Sequence, residues 1–253
     1  ALMFAHQADF FAGLSEALLE RPGRALAAWV PDLPGYGFVQ GMRAFGFEEA
    51  GSYDQAEALG REAVARNPKD VWAIHAVGHV LEMQGRDEEG IAWYAEREGD
   101  WAPESFFAVH NAWHWSLYHV DRDDSQGALA VYDRLIRPGR RSILLNLCDA
   151  AALLWRLQLA GVEVGSRADE LADLVLPHLP VRLHVFDDVH IALALAGAGR
   201  TLALEELLRS LAVAAATGTG DQAHMAALVG LPAARAAMAF AHGAYAEAVE
   251  LLM

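Results

Sequence analysis

The sequence predicts an all-α protein in which helix pairs repeat along the chain and stack as a right-handed α-α superhelix, a solenoid with a concave groove. Three observations lead there. The 253 residues are 54% hydrophobic, and much of that is Ala and Leu with Val and Ile sparse, a balance that favours helix over sheet. Apolar residues recur at helical spacing between Gly-rich breaks. The same small and aromatic residues also return after about 34 positions, the sign of stacked supersecondary units.

Residues 1–36 read as an N-terminal helix, from about His6 to Leu19, followed by a linker through Pro31-Asp32-Leu33-Pro34-Gly35. Residues 37–140 read as three repeats. In the first, Ala44 and Phe47 lie on one helix, Ala50-Gly51-Ser52 breaks it, Ala56 and Ala63 mark the second, and Pro68 closes the unit. That arrangement fits the tetratricopeptide template, with small residues where paired helices touch and a proline to stop the second helix. The second repeat, Val71 to Pro103, has Gly78 at the close contact, a turn at Gly85-Arg86-Asp87, and Gly90 with Tyr94 beyond it. The third, Ser105 to Pro138, turns at Asp121–Asp124 and continues through Ala128 and Tyr132.

Residues 141–253 read as irregular helical pairs ending in a further repeat, all within one continuous domain. The expected helices are Ser142–Leu159, Arg167–Leu176 stopped by Pro177, Asp187–Ala198 and Leu202–Ala215. A flexible TGTGD turn follows. The last repeat carries Ala236, Phe240, Gly243, Ala248 and Leu252. Without an initiator Met and with AYAEAVELLM ending inside an amphipathic helix, the chain is expected to be a piece of a longer protein. Apolar ends of that kind predict self-association, since terminal repeats need polar caps.

WAIHAVGHVLEMQGRDEEGIAWY, FFAVHNAWHWSLYHV and ALAVYDRLI resemble the tetratricopeptide repeat protein 38 family. The likeness extends upstream to LPGYGFVQGMRAFGFEEAGSYDQAEALGREAV and downstream to LCDAAALLWRLQLAG and FDDVHIALALAGAGR. It implies the α-α solenoid and little about chemistry. The family pattern carries Ala where this chain has Gly78, an exchange expected only to loosen packing slightly.

Charge narrows the function. A net charge of −15 speaks against nucleic acid, whose binding needs clustered Lys and Arg. No basic amphipathic stretch points to a membrane surface, and no apolar run reads as the roughly 18 residues of a spanning helix. Cys148 is the only cysteine. It allows no intrachain disulfide and no thiolate cage, and it fits a reducing, cytoplasmic setting. Its neighbours Leu147, Ala150 and Ala151 predict a buried structural thiol.

The distinctive motif is a doubled His-x-x-x-His: His75 with His79, and His110 with His114. Residues at i, i+4 and i+7 share one helix face, so His75, His79 and Glu82 fall together, opposite the packed Val77, Gly78 and Leu81. Phe45 and Glu48 take the equivalent face one repeat earlier, and His110, Trp113 and His114 one repeat later. Neutral imidazoles at this spacing chelate a divalent transition metal such as zinc, and a carboxylate one turn on can orient them. Glu82 is then a candidate base toward a metal-bound water. Ala76 follows His75, so the HExxH motif of zinc proteases is absent.

Other candidates stand apart from this face. Asp149 lies in an apolar helix and needs a partner if buried, either a groove histidine or Arg156. Asp187, Asp188 and His190 open a helix, with an Asp as N-cap and His190 as a second inward-pointing option. His6 and Asp9 could reach the groove from the first helix. Trp72, Trp93, Trp101 and Trp115 read as inter-helix packing, while Trp113 has the phasing to line a pocket.

Two functions remain open at this level. The first is a binding scaffold whose groove residues (Phe45, Glu48, His75, His79, Glu82, His110, Trp113, His114) hold a protein, peptide or small molecule. The second is a metal-dependent enzyme, with hydrolysis as the candidate reaction. There the four histidines would hold the ion, and Glu82, Asp149 and His190 are the catalytic candidates.

Overall fold

A computed structural model describes residues 1–103, 105–139, 142–179 and 184–253, and among them every regular element is helical. The predicted domain boundary at 140/141 lies outside the described residues. The chain divides into two compact units, Ala1–Val131 and Tyr132–Met253.

The first unit contains α1 (Leu2–Phe11), α2 (Ser15–Ala28), α3 (Tyr36–Glu49), α4 (Tyr53–Arg66), α5 (Val71–Met83), α6 (Asp87–Ala95), α7 (Glu98–Trp101), α8 (Ala108–Asp121) and α9 (Ser125–Val131). Here α3 packs on both α4 and α5, and α8 packs on α5, α6 and α9. The first helix of each pair therefore rests on the first helix of the next.

The second unit opens with a π-helical turn (Tyr132–Ile136) and continues with α10 (Leu144–Leu159), α11 (Arg167–Val175), α12 (Val185–Gly197), α13 (Thr201–Thr217), α14 (Asp221–Met225), α15 (Leu231–Ala241) and α16 (Tyr245–Leu252). The same order of packing recurs, α10 on α12 and α12 on α15, each beside its own partner helix.

One local device ends the first helix of each pair. A residue in the left-handed region follows it: Gly51, Gly85, Asp123, Gly161, Gly199 or Gly243. The next amide then reaches back over the last turn, as Ser52 N to Phe47 O, Arg86 N to Leu81 O, Asp124 N to His119 O and Ala244 N to Ala239 O. This six-to-one bond satisfies an orphan carbonyl and reverses the chain in few residues.

Several expectations change. The single N-terminal helix is two, because Gly13 at φ +68 breaks it, and α2 runs on through Pro22 to Ala28. The N-cap of α12 is His184, whose ring nitrogen accepts from Phe186 N at 3.2 Å. Asp187 instead accepts from Cys148 Sγ at 3.8 Å. Cys148 is buried as expected, and burial raises its thiol pKa. Asp221–Ala241 forms a 21-residue helical run apolar enough to cross a membrane, with 33% of its apolar window buried. Its Ala-rich composition hides that length when only strongly apolar residues are counted.

Gly78 is a contact requirement and more than a loosened Ala. A Cβ there would run into the Tyr94 hydroxyl and ring, while the Gly78 carbonyl accepts from Tyr118 Oη at 2.5 Å. The small residue lets α5 sit directly against two buried tyrosines.

Asp70 caps α5, its Oδ1 accepting from Ala73 N at 3.1 Å. Its Oδ2 is buried with no hydrogen-bond partner among the described residues, and burial raises the carboxyl pKa from 3.8 to about 6. The folded chain thus holds this proton more tightly than the unfolded one. Stability is lost as pH rises from about 4 through 6, and the full cost stands above that. Asp70→Asn keeps the cap without the charge. It is expected to stabilise the protein by on the order of 2–3 kcal/mol near pH 7.5 and hardly at all near pH 4. Urea midpoints at the two pH values check this, and an equal shift at both would contradict it.

Candidate metal centre

Two helices bring the four histidines together. His75 and His79 project from α5 and His110 and His114 from α8, each pair one helical turn apart. Cross-links on either side of them fix the register of α5 against α8: Tyr118 Oη donates to Gly78 O, and Asn111 Nδ2 donates to Val71 O at 3.4 Å. His75 and His114 are buried, and His79 and His110 are half-buried.

Their Nε2 atoms converge. His114 Nε2 lies 3.2 Å from His75 Nε2, 3.0 Å from His79 Nε2 and 3.2 Å from His110 Nε2. One ligand atom from each of the four lies within 4.8 Å of the others. In a tetrahedral zinc site, ligand bonds of about 2.0–2.1 Å put nitrogens roughly 3.3–3.4 Å apart. The three edges from His114 fall within a few tenths of an ångström of that spacing.

Two carboxylates set the tautomers. Glu82 Oε2 accepts from His114 Nδ1 at 2.7 Å, and Glu48 Oε2 accepts from His79 Nδ1 at 3.2 Å. An ionised carboxylate only accepts, so each Nδ1 carries the proton and each Nε2 presents a lone pair. His79 and His114 therefore aim lone pairs at each other across 3.0 Å, which is repulsive without a shared positive charge. A proton suits the place poorly. Burial, reinforced by the neighbouring imidazoles, holds the pKa values of His75 and His114 well below the ordinary 6.5. Four convergent imidazoles can hold a metal ion, and the two outer carboxylates are the partners that commonly orient such ligands.

The acid–histidine pairing follows the order of the helices. Glu48 on α3 holds His79 on α5, and Glu82 on α5 holds His114 on α8. Each first helix thus supplies the carboxylate for the histidine of the next.

Aromatic rings enclose the cluster. Phe45 lies 5.6 Å from His75 and 5.8 Å from His79 by ring centres. Trp113 stacks on His110 at 5.5 Å. The sequence pattern does not single out Phe107, whose ring lies 4.8 Å from His75 and 4.9 Å from His110. Trp72, expected only to pack between helices, stacks on Phe107 at 4.5 Å and meets His75 edge-on. The missed signal is an aromatic residue three positions before each His pair, Trp72 before His75 and Phe107 before His110.

Apart from Glu82, the remaining candidates lie elsewhere. Glu82 is engaged with His114. Asp149 and Asp188 are buried in the second unit, where His190 Nδ1 donates to Phe186 O at 2.8 Å. Burial lowers the His190 pKa, against the opposing pull of the Phe186 carbonyl and of Asp149 and Asp187. Arg156 Nη1 also donates to Ala152 O at 3.1 Å, on the same helix as Asp149. Asp9 receives both Arg21 contacts, at 2.7 and 3.0 Å. His6 is buried 6.1 Å from Phe45, with neither ring nitrogen hydrogen-bonded among the described residues. No protein-family model matches this chain, and no solved structure matches it.

Proposed function

We propose that the chain is a helical-repeat scaffold of tetratricopeptide type that holds one divalent transition metal, zinc first among them, on His75, His79, His110 and His114. The observation that carries this is the convergence of four imidazole Nε2 atoms, two of them 3.0 Å apart with their Nδ1 atoms each facing a carboxylate. The donor set is all imidazole, which suits zinc, copper and nickel and offers nothing to oxygen-seeking calcium or magnesium. A cradle from two helices, rather than one planar loop, favours the tetrahedral preference of zinc.

The scaffold half rests on the recurring helix pairs, their shared turn device and the resemblance in sequence. Holding the ion is favoured over turning over a substrate, because four protein ligands fill a tetrahedron and Glu82 is committed to His114. The chelator-stripped 253-residue chain titrated with zinc is expected to take up about one equivalent. His114→Ala should cost more than the roughly 10–100-fold that loss of an outer carboxylate costs, with helical circular dichroism unchanged. Wild-type chain that takes up no zinc overturns the proposal.

A further inference from the structure

The first helix is turned inside out. The two buried residues of α1 are polar: His6 lies 6.1 Å from Phe45, and Asp9 is held by Arg21 of α2. Its outward face is apolar, with Met3, Phe4, Phe10, Phe11 and, just past the helix, Leu14 each between 48% and 76% exposed. Residues three, four and seven apart share a helix face, so the half-buried Gln7 stands in the middle of this stripe. A solvated surface helix has the reverse arrangement, and an open apolar face of this kind marks a contact site.

We propose that this face pairs with the same face of a second copy of the chain, α1 antiparallel to α1 about a two-fold axis at Gln7. Charge selects the occupant. Two chains of net charge −15 repel each other, so they meet closely only where neither shows a carboxylate. The stripe shows none, its one acid being buried on Arg21. The apolar face of α16 differs, since Tyr245, Val249 and Leu252 stand exposed beside exposed Glu247 and Glu250. Symmetry fits as well, because most soluble homo-oligomers pair through one self-complementary patch. Antiparallel pairing about Gln7 sets Phe4 opposite Phe10 of the second copy and Met3 opposite its Phe11. It also sets Gln7 against itself, where each side-chain amide both donates and accepts. Side chains exposed to this degree offer on the order of 500 Å² per copy, about 1,000 Å² in all. Specific interfaces begin at roughly 1,200 Å², so a weak dimer is expected, with a dissociation constant on the order of 10 µM.

Sedimentation equilibrium of the 253-residue chain tests this, run with chelator and again with zinc to separate a metal bridge from the helix contact. A monomer–dimer equilibrium is expected in both, tightening as salt screens the repulsion between copies. Phe4→Glu combined with Phe11→Glu alters only exposed rings, so helical circular dichroism should hold. The dimer should weaken by more than about tenfold, because like charges then face each other. Tyr245→Glu on α16 should leave it unchanged. Gln7→Cys should cross-link to its own copy under a mild oxidant, which the buried Cys148 of the parent chain should not do. A chain that stays monomeric well above the expected dissociation constant overturns the inference. So does a dimer that the double variant leaves intact, that salt weakens, or that only zinc produces. Absence of the Gln7→Cys cross-link overturns the two-fold arrangement, and a stripe that binds phosphatidylcholine vesicles in place of a second copy overturns the occupant.

Discussion

Zinc in excess is expected to raise the thermal unfolding midpoint of the metal-free chain by roughly 10 °C, the largest effect foreseen for this protein. A ligand at about a thousand times its dissociation constant stabilises the state it binds by about 4 kcal/mol. For a chain of this size each kcal/mol moves the midpoint by roughly 2–4 °C. The unfolded chain cannot gather two residues of α5 and two of α8, so nearly all of the binding energy appears as folding energy. His114→Ala should abolish the shift, because His114 Nε2 is the atom that lies 3.0–3.2 Å from all three other ligands. Calorimetry with and without zinc decides it, and a midpoint that zinc leaves unchanged contradicts the metal-site reading.

Gly46→Ala comes next in size. A Cβ at Gly46 would lie 2.5 Å from the Leu18 carbonyl oxygen and 2.6 Å from Leu18 C and Leu19 Cα. These are backbone atoms of α2, so relief requires moving a whole helix. Leu18 belongs to the same buried cluster as Ala44, Phe45 and Ala76, and Phe45 in turn borders His75 and His79. The cost should therefore exceed the roughly 1–3 kcal/mol that overpacking usually carries, and zinc affinity should fall with it. Gly60→Ala makes the control. Its Cβ would meet Val77 Cγ2 at 2.7 Å, a branched side chain held in one rotamer but a single residue to displace rather than the backbone of a helix. Urea midpoints for the two variants should rank Gly46→Ala clearly worse, and equal midpoints would refute the backbone argument.

The four histidines and their two acids were legible in the sequence because each pair is local, with i, i+4 spacing that depends only on helix geometry. A near-constant offset then places the pairs on successive first helices. What could not be read is set by contacts at long range. The tautomers depend on Glu48 reaching His79 and Glu82 reaching His114 across helices, which periodicity suggests only as a shared face. Gly78 looked interchangeable with Ala because nothing local shows that Tyr94 and Tyr118 crowd it. The break at Gly13 was missed for the opposite reason. One glycine inside an apolar run is a weak punctuation mark, and only its left-handed backbone turns it into a helix end. Asp187 resembled an N-cap by residue type, but the helix begins two residues earlier and His184 takes the role.

The diagonal pairing of acid and histidine has a consequence for what the site can sense. No single helix pair owns a complete ligand set, since the orienting carboxylate always comes from the preceding unit and half of the imidazoles from the following one. On the proposed reading, the bound ion acts as a gauge block between consecutive repeats. Any force or partner that slides α5 along α8 by a fraction of a turn would release the metal before either helix began to unwind.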